Sequence, residues 1–219
     1  MKKILGNPNQ TNKKLIDIIN KTKINDFYLN NQKDFRDRIL EEIDQSDHIL
    51  DLGMAMRDKY KKIESKNLET LDVNDFGDYP DIICDICSDI SGLESKYDKI
   101  ICIAVLEHVY DPTSAIANLN KMLKNGGILY GYVPYLFQYH APHDLKYQDY
   151  FRFSKDALAY LFKDFSYVEL FPVRGRISAP LSILFGEKWK KYIEKTKINI
   201  FFNKFFNKNL DQCSGYNFI

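Results

Sequence analysis

The residues best able to do chemistry in this chain stand at the ends of apolar runs. Ile49-Leu50-Asp51-Leu52-Gly53 ends in an acid and a glycine, Leu68-Glu69-Thr70-Leu71-Asp72 in an acid, and Ile82-Ile83-Cys84-Asp85 in another. The longest run starts at Tyr97 and stops abruptly at Glu107-His108. A later loop, Pro134 to Asp144, carries His140 and His143 among aromatics. Carboxylates in such places accept hydrogen bonds from hydroxyl and amino groups. A histidine, with its ordinary pKa near neutrality, suits the removal of a hydroxyl proton. His140, His143 and His108 are the candidates for that step. His48 precedes the first strand and reads as structural or exposed. Tyr139, Tyr150 and Arg152 flank the histidine loop and are the candidates to hold an acceptor, Arg152 either on an acceptor phosphate or as a brace for the loop.

These residues need a scaffold that brings strand ends together. The 99–105 run carries no charge after Lys99 and is rich in Ile and Val, which predicts a central strand buried on both faces. Strands are also expected at 48–53, 66–73, 79–86, 128–133 and 167–173, with a last one beginning at Gly215. Phe35, Ile39, Leu40 and Ile43 predict a helix over about 32–45. Asp111 and Pro112 start another that runs to Leu123, and Lys124-Asn125-Gly126-Gly127 stops it. Ser154 starts a third. Strands alternating with short helical or loop connections predict a mostly parallel, doubly wound α/β sheet, whose strand ends are where ligands bind. Residues 1–30 read as an arm or short helices, and 31–219 as one domain with an insertion or lid at about 176–210.

Composition narrows the classes. The chain has 219 residues with 31 basic and 30 acidic side chains, a net charge of +1, so nothing demands a nucleic-acid partner. No apolar stretch is long enough to span a bilayer and no signal peptide is present, so a cytoplasmic location is expected. The four cysteines are too few and scattered for a disulfide framework. Cys84 and Cys87 read as small buried hydrophobes rather than a metal or redox pair. No carboxylate and histidine group has metal-ligand spacing along the chain, and no metal is expected.

Taken together, Ile49-Leu50-Asp51-Leu52-Gly53, Asp72, Asp85, Val105-Leu106-Glu107-His108-Val109 with Asp111-Pro112, and Leu123-Lys124-Asn125-Gly126-Gly127 resemble the class I S-adenosylmethionine-dependent methyltransferases. The likeness covers about residues 33–175. His140-Ala141-Pro142 followed by Asp149-Tyr150-Phe151-Arg152-Phe153-Ser154 is similar to small-molecule members near sugar and surface-polysaccharide pathways. The resemblance implies a Rossmann-like, seven-stranded sheet flanked by helices. It implies S-adenosylmethionine as methyl donor and S-adenosylhomocysteine as product. Gly53 and Met54 would wrap the donor's methionine end, with Asp51 orienting its amino group. Asp72, with Val73 beside it, would take the ribose hydroxyls. Asp85 would accept from the adenine amino group beside Ile86, and Ala104 would lie near the sulfonium. The implied acceptor is a hydroxyl on a small molecule, a sugar or sugar nucleotide being preferred; a homodimer is left open.

One departure stands out. The family has G-x-G-x-G after the first strand, where this chain has Gly53-Met54-Ala55-Met56-Arg57. The loop bends differently, or donor affinity falls, or the chain serves as a weakened, methyltransferase-like binding or assembly partner. A quinone or lipid precursor as acceptor is a further alternative.

Overall fold

A computed structural model of the chain describes residues 8–28, 34–63, 66–142, 146–175, 179–181, 183–184 and 213–219. The sheet has eight strands: β1 (Lys23–Ile24), β2 (His48–Leu52), β3 (Asn67–Asp72), β4 (Ile82–Ile83), β5 (Tyr97–Ile103), β6 (Leu123–Pro134), β7 (Glu169–Val173) and β8 (Gly215–Phe218). Their order is β1-β7-β8-β6-β5-β2-β3-β4. β8 runs antiparallel to both neighbours, and every other pairing is parallel. Seven strands are expected from the sequence. The eighth, β1, is a two-residue edge that the N-terminal region adds to β7.

The long apolar run forms the middle of this sheet. Ile100, Ile101 and Cys102 of β5 are fully buried, and they alternate between two cores on opposite faces. One core packs Ile100 and Cys102 against Ile116, Leu119 and Met122 of α3 (Pro112–Met122) and Leu158 of α4 (Lys155–Leu161). The other packs Ile101 against Phe35 and Ile39 of α2 (Phe35–Glu41). This two-sided burial is what a parallel central strand requires. α3 is capped by Asp111, whose Oδ1 accepts from Thr113 and Ser114 amides at 3.1 Å. α1 (Pro8–Lys21) precedes β1, with Ile18 and Ile19 half-buried.

Three expected elements come out shorter or shifted. α2 stops at Glu41 because Asp44 closes a turn, accepting from the Ser46 amide at 3.0 Å. The strand expected at 79–86 shrinks to Ile82–Ile83. Asp81 turns its carboxylate onto Thr70, and Asp85 accepts from the Cys87 amide at 2.9 Å, so side chains take over the backbone partners on both sides. Cys84 and Cys87 therefore sit in a turn and are half-buried, not buried on strand faces. β6 begins at Leu123, directly after α3, with a register shift opposite Tyr97 and Lys99 that accommodates Gly126 at φ +80°.

Among the described residues no helix is long and apolar enough to cross a membrane. The segment expected to form an insertion or lid lies almost wholly outside the described residues.

Candidate functional site

β2, β3 and β5 end side by side, and each delivers a short turn to one cleft. After β2, Gly53 takes φ +67° while its amide donates to Leu71 O at 3.0 Å. A Cβ on Gly53 would lie 3.0 Å from Val105 Cγ2, so the position is both left-handed and crowded, and glycine answers both demands. Met54 follows, also left-handed at φ +57°. The side chain of Met56 is fully buried in the core beside Ile39, Ile49 and Ile101. The bulky Met56, between the positions where the family has its later glycines (here Ala55 and Arg57), thus packs under the loop.

Asp51 ties this turn down. It is fully buried, and its Oδ2 accepts from the Met56 amide at 3.1 Å and from the Tyr60 hydroxyl at 2.6 Å. Oδ1 is buried without a partner. Burial pushes the Asp51 carboxyl up to about 6, against the pull of these two donors. Asp51 does not line the cleft itself.

The cleft is a cavity of about 380 Å³ lined by Gly53, Asp72, Asp85, Ile86 and Ala104, among others. Val73 also lines it and is exposed. Asp72 Oδ1 accepts from the Asn74 amide at 2.9 Å. Asp85 Oδ2 accepts from the Tyr110 hydroxyl at 2.9 Å. That bond to Asp85 pushes the Tyr110 phenol up to about 12. Ala104 adopts φ +55° as β5 ends, with its amide donating to Tyr132 O at 2.9 Å. Tyr110 and Asn74 are cleft residues that the sequence pattern does not single out.

The other wall brings in His108, Lys146, Tyr147, Gln148 and Tyr150. His108 Nδ1 lies 2.6 Å from Gln148 O, and its ring stands edge-on to that of His140 at 4.8 Å. Burial lowers the His108 pKa. His140 Nδ1 lies 3.2 Å from Asp149 Oδ2, whose carboxylate also accepts from the His140 amide at 2.9 Å. Between the two rings stands Glu107, 1% exposed. Its Oε1 lies 3.9 Å from His108 Nε2 and 3.8 Å from His140 Nε2, while Oε2 is buried without a partner. Burial pushes the Glu107 carboxyl up to about 7. The sequence pattern does not single out Glu107 as an acid or base. The available signal was its position: a carboxylate at the end of a strand buried on both faces.

Arg152 acts on the loop that carries His140. Its five N–H donors go to Phe137 O at 3.2 Å, Phe151 O at 2.8 Å, Gln138 O at 2.7 Å and both oxygens of Asp149. None is left over for an acceptor phosphate, and the brace reading fits. The guanidinium holds the Asp149 carboxyl down at about 2. Tyr150 lines the cavity and donates to Gln148 Oε1 at 2.9 Å. Tyr139 is 70% exposed and does not line the cavity. His143 lies outside the described residues.

Residues 25–171 match the family profile of the methyltransferase domain. No curated protein matches the sequence. Solved structures are similar to it to differing degrees. Phosphoethanolamine N-methyltransferase 2 of Haemonchus contortus, in complex with phosphomonomethylethanolamine and S-adenosylhomocysteine, is 14% identical over 83% of this chain and 49% of its own, with a TM-score of 0.53. An S-adenosylmethionine-dependent methyltransferase from Mesorhizobium loti is 12% identical over 83% of this chain and 93% of its own, with a TM-score of 0.51. The trans-methyltransferase CalH is 16% identical over 40% of this chain and 32% of its own, with a TM-score of 0.33. The chain thus spans about half the length of the Haemonchus protein and a third of CalH. The sheet order and the strand-end cleft agree with the profile match over two thirds of the sequence, and the chain belongs to the methyltransferase-domain family.

Proposed function

We propose that this chain moves a methyl group from S-adenosylmethionine to a hydroxyl of a small molecule, a sugar or sugar nucleotide destined for surface polysaccharide. The observation that carries the reading is a cleft that brings the strand-end carboxylates Asp72 and Asp85 together with His108, beside which Glu107 and His140 cluster. The Haemonchus enzyme, alike in fold, is solved with S-adenosylmethionine in one structure and S-adenosylhomocysteine in another, which supports this donor.

The residues present fit such a donor. The left-handed turn at Gly53 and Met54 leaves the backbone open to close approach, and Asp51 holds that turn from below. Asp72 offers carboxylate oxygens to a pair of ribose hydroxyls, with Val73 alongside. Asp85 and the backbone at Ile86 take the adenine edge, and Tyr110 orients Asp85. The donor supplies an electrophilic methyl on a positively charged sulfur. Transfer to oxygen is an in-line displacement, so the first task of the protein is alignment. Ala104, just past the end of β5, lines the same cavity as Asp72, Asp85 and His108. Tyr150, Gln148 and His108 form the wall against which the acceptor rests. Activation of the acceptor hydroxyl falls to Glu107, His108 and His140, with Asp149 and Arg152 positioning the His140 loop.

Calorimetric titration with S-adenosylmethionine and S-adenosylhomocysteine tests the donor. Micromolar binding of both is expected, and absence of binding by either overturns the reading. Methyl transfer to a panel of sugar nucleotides tests the acceptor. His140→Ala should slow turnover by about 10²–10⁴ at unchanged donor affinity. Transfer to nitrogen or lipid acceptors, with none to sugars, would remove the sugar assignment alone.

A further inference from the structure

We infer that Glu107, His108 and His140 form a seat for a divalent transition-metal ion at the acceptor side of the cleft. Glu107 and His108 are neighbours in the sequence and His140 comes from a distant loop, yet they converge: one atom from each, two imidazole nitrogens and a carboxylate oxygen, lie within 4.8 Å of one another. Two of the separations are 3.8 and 3.9 Å.

The hydrogen bonding fixes which ring atoms are free. His108 Nδ1 faces a carbonyl oxygen, that of Gln148, at 2.6 Å. His140 Nδ1 faces Asp149 Oδ2 at 3.2 Å and Gln138 O at 3.3 Å. Carbonyl and carboxylate oxygens bring no hydrogen, so each Nδ1 is the donor and carries the proton. In a neutral ring the lone pair then sits on Nε2. Both Nε2 atoms point to Glu107. With Glu107 ionised, the two lone pairs and the carboxylate are all acceptors, and none of them donates to another. Glu107 Oε2 makes the deficit plain, being buried with no partner. The nearest guanidinium cannot fill it, because all five donors of Arg152 are engaged elsewhere.

A cation satisfies all three groups together. Imidazole Nε2 ligands whose Nδ1 hydrogens go to a backbone carbonyl or a carboxylate are the usual outer support of metal-bound histidine. Two imidazoles and one carboxylate suit zinc, iron or cobalt rather than magnesium or calcium, which prefer all-oxygen sets. Zinc bonds of about 2.0–2.2 Å place tetrahedral ligands roughly 3.4 Å apart. The two Glu107 contacts would close by about half an ångström from their present separation. Three protein ligands leave a coordination position open, and His108 lines the cleft, so that position is reached from the acceptor side. A hydroxyl oxygen of a polyol bound there becomes more acidic, which is how the cluster would activate it. That last consequence rests on the methyl-transfer reading, whereas the cation site does not.

The test uses the full chain stripped with EDTA, then titrated with Co²⁺ and Zn²⁺. One equivalent should bind, and Co²⁺ should show visible ligand-field absorption that Zn²⁺ displaces. His140→Ala and Glu107→Gln should each weaken binding at least tenfold. Cys87→Ala and His48→Ala should leave it within about twofold, which excludes these two side chains as ligands. Glu107 is fully buried, so the half-buried His140 position provides the variant least able to disturb folding. Failure of the stripped protein to bind either ion, or equal binding by His140→Ala, overturns the inference. Titration of the stripped protein with S-adenosylmethionine is run alongside. Donor binding without cation binding sinks only the metal site, and cation binding without donor binding sinks only the methyl-transfer reading.

Discussion

Tyr60 donates its hydroxyl hydrogen to Asp51 Oδ2 at 2.6 Å, across the turn that follows β2. With the Met56 amide on the same oxygen, this bond shapes a donor loop that lacks the family's later glycines. Asp51→Asn should therefore change the pH response of the fold. The folded carboxyl sits at about 6 against 3.8 in the unfolded chain, so the folded state binds more protons in between. Its favourable contribution is complete below about pH 3.8 and is lost as pH rises through about 6. The loss is on the order of 3 kcal/mol. Melting curves should show the wild type losing stability relative to Asp51→Asn from pH 4 to pH 7. Parallel curves would remove the assignment.

Tyr60→Phe deletes the hydroxyl and leaves the ring. Donor affinity should fall several-fold, with stability lower by about 1 kcal/mol. Calorimetry and thermal denaturation read the two effects separately. Unchanged donor affinity would show that the loop keeps its shape without this bond.

Asp72→Ala should abolish measurable donor binding and shift the melting temperature by no more than a few degrees, since Asp72 is half-exposed at a strand end. Binding within threefold of wild type would move the ribose contact to another residue.

Arg152→Lys keeps the charge and loses the planar fork that serves three carbonyls and Asp149. Acceptor KM should rise and turnover fall by about 10–100-fold, with donor affinity within threefold. Loss of donor affinity instead would place Arg152 in the donor site.

Gly131→Ala probes the centre of the sheet. A Cβ there would collide with the Phe218 ring and Cys102 O. Destabilisation of about 3 kcal/mol is expected, a fall of roughly 10 °C in melting temperature. A stable variant would mean that β8 can slide away from β6.

Much of this architecture is legible because its signals are local. The central apolar run, the Asp111-Pro112 helix start and the Ser154 cap each depend on neighbours in the chain; the two helix starts stand where the pattern puts them, and the strand expected at 99–105 forms two residues earlier, at Tyr97–Ile103. β1 is two residues long and owes its existence to its partner β7, so no local pattern announces it, while β4 keeps only Ile82–Ile83 of the strand expected at 79–86. Met56 looks like an obstruction in a glycine loop until the space between α2 and β2 is seen to receive it. The Glu107, His108 and His140 cluster is likewise invisible in the sequence, since His140 is far along the chain and is swung in by Asp149 and Arg152. A search for ligand spacing along the chain passes over it.

The position of β8 also sets an order of events during synthesis. β1 and β7 join the rest of the sheet only through β8, which lies between β7 and β6. Until residues 215–218 leave the ribosome, β6 and β7 each present an open edge with no partner to cover it. Both edges are rich in aromatic and branched residues, the kind that recruit stray strands. The nascent protein therefore carries its docking seam exposed through the making of everything between Val173 and Gly215.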